Sequence, residues 1–231
     1  MRKAVYFRTR STAFNIRELM VVMVILSILA VIISSRKEEA RRKSYRIACV
    51  GQLKQMGLAF RIFAIDHGDK YPMSLSTNLG GTAEWNNSPG QLLRHFQIVS
   101  NELSVPKVIL CPSDYNSRLE ATNFQNDYES KGNMAISYFL GLDADETKPQ
   151  MILFGDRDIV DPRFGLPGKV SSIVNLGTNH NHQVGASWEG RIHRDGGNVA
   201  LGDGSVQQST TFRLREQLRN TDDTTNRLGF P

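Results

Sequence analysis

From Leu19 to Ile33 the chain is apolar at every position but Ser27, and a carboxylate, Glu18, stands at the edge of that run. Nothing else in the 231 residues constrains the fold as strongly. Fifteen helical residues span only about 22 Å, short of the roughly 30 Å of a hydrocarbon core. Beginning at Phe14 extends the span to about 30 Å, but then Arg17 and Glu18 lie inside it. An ionisable group at membrane depth is expensive and marks a functional position by default. Three readings compete. One is a cleaved secretory signal with a basic region over 1–18 and an apolar region over 19–33; against it, Arg36 and Lys37 follow Ser34-Ser35 at once, and no small-residue cleavage site closes the run. The second is a plain signal anchor. The third is a helix that resides in the bilayer and also packs against copies of itself.

Charge does not orient the segment. Residues 1–17 carry five Lys or Arg and residues 36–46 carry six, so the positive-inside rule gives a draw. The net charge of +5 is mostly a property of the first thirteen residues, which hold Arg2, Lys3, Arg8 and Arg10 and no acid. The other 218 residues carry 24 bases against 23 acids. A nucleic-acid partner is therefore not expected.

Beyond the run, residues 36–65 contain no Pro, and Ile47, Val50, Leu53, Met56, Phe60 and Phe63 recur at spacings of three and four. That period predicts continuation of the helix as an amphipathic element, ended by Asp66-His67-Gly68-Asp69 and Pro72. Residues 73–135 lack periodicity and read as a long connection with a short helical turn over 90–100. Strand-like runs follow at Ala135–Gly141, Met151–Gly155, Asn198–Leu201 and Ser205–Gln208, the last two joined through Asp203-Gly204 as a hairpin. A long helix followed by antiparallel strands is an α+β architecture.

Cys49 and Cys111 are the only thiols. They leave two readings open: one bridge closing a loop of about 60 residues, or two unpaired buried cysteines. Among candidate ligands, His180 and His182 could present two imidazoles to zinc without a third certain partner. Asp156, Asp158 and Asp161 follow a strand, and Asp66 and Asp69 flank a turn; such oxygens suit Ca²⁺, though no EF-hand pattern is present. No nucleophile elbow, zincin, P-loop or dinucleotide motif occurs, and no enzymatic activity is expected.

The stretch Ala13-Phe14-Asn15-Ile16-Arg17-Glu18-Leu19-Met20-Val21-Val22 resembles the class III signal of type IV pilins and type II secretion pseudopilins, whose usual form is G-F-T-L-I-E-L-L-V-V. Two further patches extend the resemblance to multicopy prepilin-like families. "CVGQLKQMGLAFRIFAIDHGDKYP", 49–72, is similar to their post-helix segment, and His193-x9-Asp203-Gly204, enclosing Gly196-Gly197, matches their C-terminal H-x9-DG pattern. Ala13 stands where the family has Gly, and Arg17 where it has an apolar residue.

The resemblance implies cleavage by prepilin peptidase between Ala13 and Phe14 and N-methylation of Phe14. It implies assembly with other pilin-like subunits through the helix, with Glu18 opposite a neighbour's α-amine, and a Cys49–Cys111 bridge. It places the leader inside the cell and the C-terminal bulk outside the inner membrane. The implied organisation is a leader (1–13), a membrane and assembly helix (14–35), its amphipathic continuation (36–65) and an extracytoplasmic α+β domain (66–231). No resident cofactor is implied, apart from the Ca²⁺ that major pseudopilins bind. The expected role is structural, in a pilus or secretion pseudopilus. The rivals are a membrane-anchored extracytoplasmic binding module that never polymerises and, more remotely, an anchored hydrolase using the 180–193 histidines.

Overall fold

The computed structural model describes residues 15–165, 171–180, 184–194 and 196–231. The chain divides into two compact units, Met1–Lys43 and Ser44–Pro231. Helix α1 runs over Ile16–Asp66. Its part in the first unit includes a stretch near the N-terminus that is long and apolar enough to cross a membrane, and none of that stretch is buried.

Two groups at the N-terminal end of α1 satisfy its first amides. Asn15 precedes the helix and its Oδ1 accepts from the Arg17 N–H at 3.4 Å, while the Asn15 N–H donates to Glu18 Oε2 at 3.0 Å. Asn15-x-x-Glu18 is thus a reciprocal capping box.

In the second unit, the residues of α1 from Ser44 onward supply one wall of the core. Cys49, Leu53, Met56, Phe60, Phe63 and Ala64 are buried, a stripe with helical spacing. Ile47, expected on that stripe, is exposed instead, and Cys49 takes the buried place. The unit's core therefore begins well before residue 66. It also contains the connection 73–135, folded into short 3₁₀ turns and three brief helices, α2 (Leu92–Gln97), α3 (Ser100–Leu103) and α4 (Asn126–Lys131).

The strands are β1 (Tyr138–Gly141), β2 (Ile152–Asp156), β3 (Ile159–Val160), β4 (Ser172–Asn175), β5 (Ser187–Trp188), β6 (Gly197–Leu201), β7 (Val206–Ser209) and β8 (Arg227–Phe230), with α5 (Thr211–Arg219) before the last. Six of them form an antiparallel sheet in the order β4-β8-β1-β2-β6-β7, and β3 pairs with β5 apart from it. The architecture is α+β.

Both faces of this sheet are covered. Tyr138, Leu140, Phe154 and Ala200 pack with the buried stripe of α1, where Phe60 meets Phe154 edge-on at 4.7 Å. Phe139, Ile152, Val199 and Leu201 pack on the opposite side with Leu214 and Leu218 of α5. The alternation lapses in β2, where Leu153 and Phe154 join the same cluster, at the register shift against β6.

Of the expected strands, Ala135–Gly141 is strand only from Tyr138, because Gly132–Ala135 closes a 3₁₀ turn first. The hairpin is confirmed with a longer loop. The Leu201 N–H donates to Ser205 O at 2.9 Å, leaving Gly202-Asp203-Gly204 as a three-residue connection with Gly204 in the left-handed region at φ 81°.

Candidate functional site

The expected processing residues Ala13 and Phe14 lie outside the described residues. Glu18 is described, and its carboxylate serves first as the capping acceptor for Asn15, with its other oxygen unpartnered among the described residues. The large apolar side chains from Leu19 to Ile33 are all exposed.

In the second unit the chemistry converges below the sheet's β2–β6 pair. Cys49 and Cys111 form a disulfide with their Cα atoms 5.4 Å apart, tying α1 to the turn that follows Ile109. His193 is buried against it, its Nε2 3.8 Å from Cys111 Sγ and 3.6 Å from Asp156 Oδ2. Asp156 is fully buried and accepts from the Asn198 main-chain N–H at 2.6 Å and from Asn198 Nδ2 at 3.0 Å. Burial pushes the Asp156 carboxyl up to about 7, against the opposing pull of the Asn198 hydrogen bonds. Burial likewise pushes His193 down to about 4, helped by the Arg46 charge. Both groups are driven toward their neutral forms.

Neighbouring glycines allow this packing. A Cβ on Gly197 would strike the Trp188 ring, and one on Gly196 the main-chain oxygen of Ser209. Asp203 Oδ1 accepts from the Ser205 N–H at 2.8 Å, and the Asp203 carbonyl accepts from Arg61 on α1 at 3.1 Å. The named residues of the H-x9-DG pattern therefore have packing or turn roles, His193 and Gly196-Gly197 at one end of β6 and Asp203-Gly204 in the hairpin turn at the other.

The three aspartates considered for Ca²⁺ are engaged by protein groups. Asp156 faces Asn198. Asp158 accepts from the Ile192 N–H and pairs with Arg191, and Asp161 pairs with Arg163 through two nitrogens. Their oxygens do not gather into a ligand set among the described residues. His180, considered with His182 for zinc, is likewise engaged by protein groups. Its Nδ1 accepts from the Ala186 N–H at 3.3 Å and its Nε2 lies 3.1 Å from the Gly177 oxygen, so both nitrogens are engaged; His182 lies outside the described residues. One trio, Cys49, Cys111 and His193, brings potential ligand atoms within 4.8 Å of one another, but its sulfurs are bonded together and are not thiolates.

Comparison of the chain with protein-family models, curated proteins and solved structures finds no match.

A cation-lined cavity of about 470 Å³ opens in the second unit. Arg118, Lys131, Arg157 and Arg191 line it together with Asn133, Ser171 and Pro231, and no carboxylate side chain is part of the lining among the described residues. Behind the lining sits Asp114, 3% exposed, in the turn held by its own N–H donating to Cys111 O. Arg157 grips Asp114 with two nitrogens, each at 2.8 Å. Arg118 is left with its Nε 3.8 Å from the same carboxylate and without a hydrogen-bond partner there. Its Nη1 donates to Asn133 O and its Nη2 to the main-chain oxygen of Pro231. Burial lowers the Arg118 pKa to about 10, and the Arg157 charge adds to that.

Reading the sequence missed this arginine cluster. "GDRD", 155–158, drew attention to its aspartates rather than to the Arg157 between them. Asp114 and Arg157 are 43 residues apart, a separation no local pattern reveals.

Proposed function

We propose that the chain is a prepilin-like structural subunit, held in a membrane by α1 and assembled with pilin-like partners through that helix into a type IV pilus or a type II secretion pseudopilus. The observation that carries the reading is the exposed apolar run Leu19–Ile33 directly after Glu18. A helix face of this size needs a lipid or protein partner. A carboxylate at its head is costly in a dry bundle unless a cation meets it. An α-amine created at Phe14 of another copy is such a cation, and one oxygen of Glu18 remains for it beyond the capping bond. Further along the helix, Leu58, Ile62 and Ile65 are also exposed at spacings of four and three, an apolar ridge suited to contact with a neighbour.

Mass spectrometry of the protein purified from its native membrane tests the reading. A mature chain beginning at an N-methylated Phe14 is the expected result. An intact Met1, or cleavage after Ile33, overturns it.

A second reading, a membrane-anchored extracytoplasmic binding module, is favoured by one observation, the cation-lined cavity.

A further inference from the structure

Cys49, Cys111, His193 and Asp156 meet inside the second unit, and all four are buried. The Cys49–Cys111 bridge asks for neither polar neighbour. A sulfur accepts hydrogen bonds only weakly, and a carboxyl and an imidazole taken out of water cost free energy that such a contact does not return. The Asp156 Oδ1 is buried without a hydrogen-bond partner among the described residues. Its Oδ2 is held by the Asn198 main-chain N–H and Nδ2, the kind of support that ligating carboxylates have.

In a tetrahedral zinc site a thiolate sulfur and an imidazole nitrogen lie about 3.5 Å apart, and a nitrogen and a carboxylate oxygen about 3.4 Å. His193 Nε2 is 3.8 Å from Cys111 Sγ and 3.6 Å from Asp156 Oδ2, and the Cys49, Cys111 and His193 ligand atoms all lie within 4.8 Å of one another. The sulfurs must part to about 3.8 Å, and the Asp156 side chain must turn its free oxygen toward them. Two thiolates, a neutral imidazole and a carboxylate around Zn²⁺ carry one net negative charge, which Arg46 offsets from α1, its Nη2 lying close to Gly196. We propose that, before the bridge closes, Cys49, Cys111, His193 and Asp156 form a structural Zn²⁺ site, and that oxidation to the disulfide expels the metal.

The two states exclude each other, because a sulfur bonded to its partner is no thiolate ligand. Closing the bridge takes one electron from each thiolate and joins the sulfurs. A small-molecule disulfide accepts both electrons and, with two protons from solvent, leaves as two thiols; Zn²⁺ departs with its charge unchanged. Either link ties α1 to the turn after Ile109, and the metal adds the β5–β6 connection through His193. The site lies wholly in the second unit, so it stands whether or not the chain polymerises.

The test uses the full chain, synthesised without oxygen in uncharged detergent with a phosphine reductant so that the bridge never closes. It is titrated with Co²⁺, a visible stand-in for Zn²⁺. Sulfur-to-cobalt charge-transfer bands should saturate at about one equivalent, and added Zn²⁺ should bleach them. The oxidised chain should show no such bands. His193→Gln should weaken cobalt binding more than about a hundredfold, and Asp156→Asn about tenfold. His67→Gln, whose imidazole bonds the Phe63 oxygen away from this corner, should leave it unchanged. Thermal melts of the oxidised variants establish that each one folds. Absence of saturable bands in the reduced parent, equal binding by the oxidised chain, or affinities indifferent to both His193→Gln and Asp156→Asn overturns the proposal.

Discussion

At the scale of single residues, the corner built by Asp156, Asn198 and His193 shows how burial, more than proximity, sets ionisation. Asp156 and His193 lie 3.6 Å apart, close enough to form an ion pair, yet each is pushed toward neutrality. A pH signature follows. A carboxyl whose folded pKa of about 7 exceeds its ordinary 3.8 holds its proton more tightly in the folded state. Its contribution to stability is complete below 3.8 and is lost as pH rises through about 7. His193, lowered from 6.5 to about 4, acts in the opposite sense: its contribution is complete above 6.5 and is lost as pH falls through about 4. Asp156→Asn removes the first effect alone, since Asn still accepts both Asn198 hydrogen bonds. Denaturant melts from pH 4 to 8 should show the variant gaining on the parent as pH rises, with the gain levelling off above about 7. A difference that does not change with pH would sink this account. His193 was legible in the sequence as the head of a motif, but its partners were not, because Cys111 and Asp156 are distant along the chain.

At the scale of elements, α1 was the most legible feature, since a run without proline and a period near 3.6 leave few alternatives. Short β3, β4, β5 and β8 and helix α5 escaped notice. Two-residue and four-residue strands carry no readable alternation, and a sheet covered on both faces erases the polar half of the pattern. The cap at the N-terminal end of α1 was also overlooked, because Glu18 drew attention as a membrane carboxylate rather than as the third residue after Asn15. The cap gives the assembly reading a sharper test. Glu18→Gln keeps an acceptor for the Asn15 N–H and discards the charge, whereas Glu18→Ala discards both. If pairing with a neighbour's amine governs assembly, both variants should lose incorporation into filaments, scored by immunoblot of sheared filament fractions. If Gln incorporates like the parent while Ala does not, Glu18 acts only as a helix cap, worth about 1 kcal/mol.

For the whole molecule, the decisive boundary lies inside a continuous helix. The compact second unit starts at Ser44, and the part of α1 within it is core rather than stalk. The Cys49–Cys111 bridge, 62 residues apart, pins that part of α1 and contributes about 4 kcal/mol in the chain-entropy model. Leu53, Met56, Phe60 and Phe63 each bury a large apolar side chain. At about 1.5–3 kcal/mol apiece they supply on the order of 10 kcal/mol, comparable to the whole stability of a domain. Hydrophobic period made this stripe readable, but not the place where the exposed face of the helix becomes a buried one, because that depends on a sheet formed more than 70 residues later. The prediction is a pair of truncations made under oxidising conditions. Residues 44–231 should be soluble without detergent and melt cooperatively at the temperature of the full chain. Residues 67–231, which lack the stripe and one half of the disulfide, should show no cooperative transition in circular dichroism. A shorter fragment that melts cooperatively would mean that the sheet and α5 suffice as a core, and that all of α1 serves as anchor and stalk.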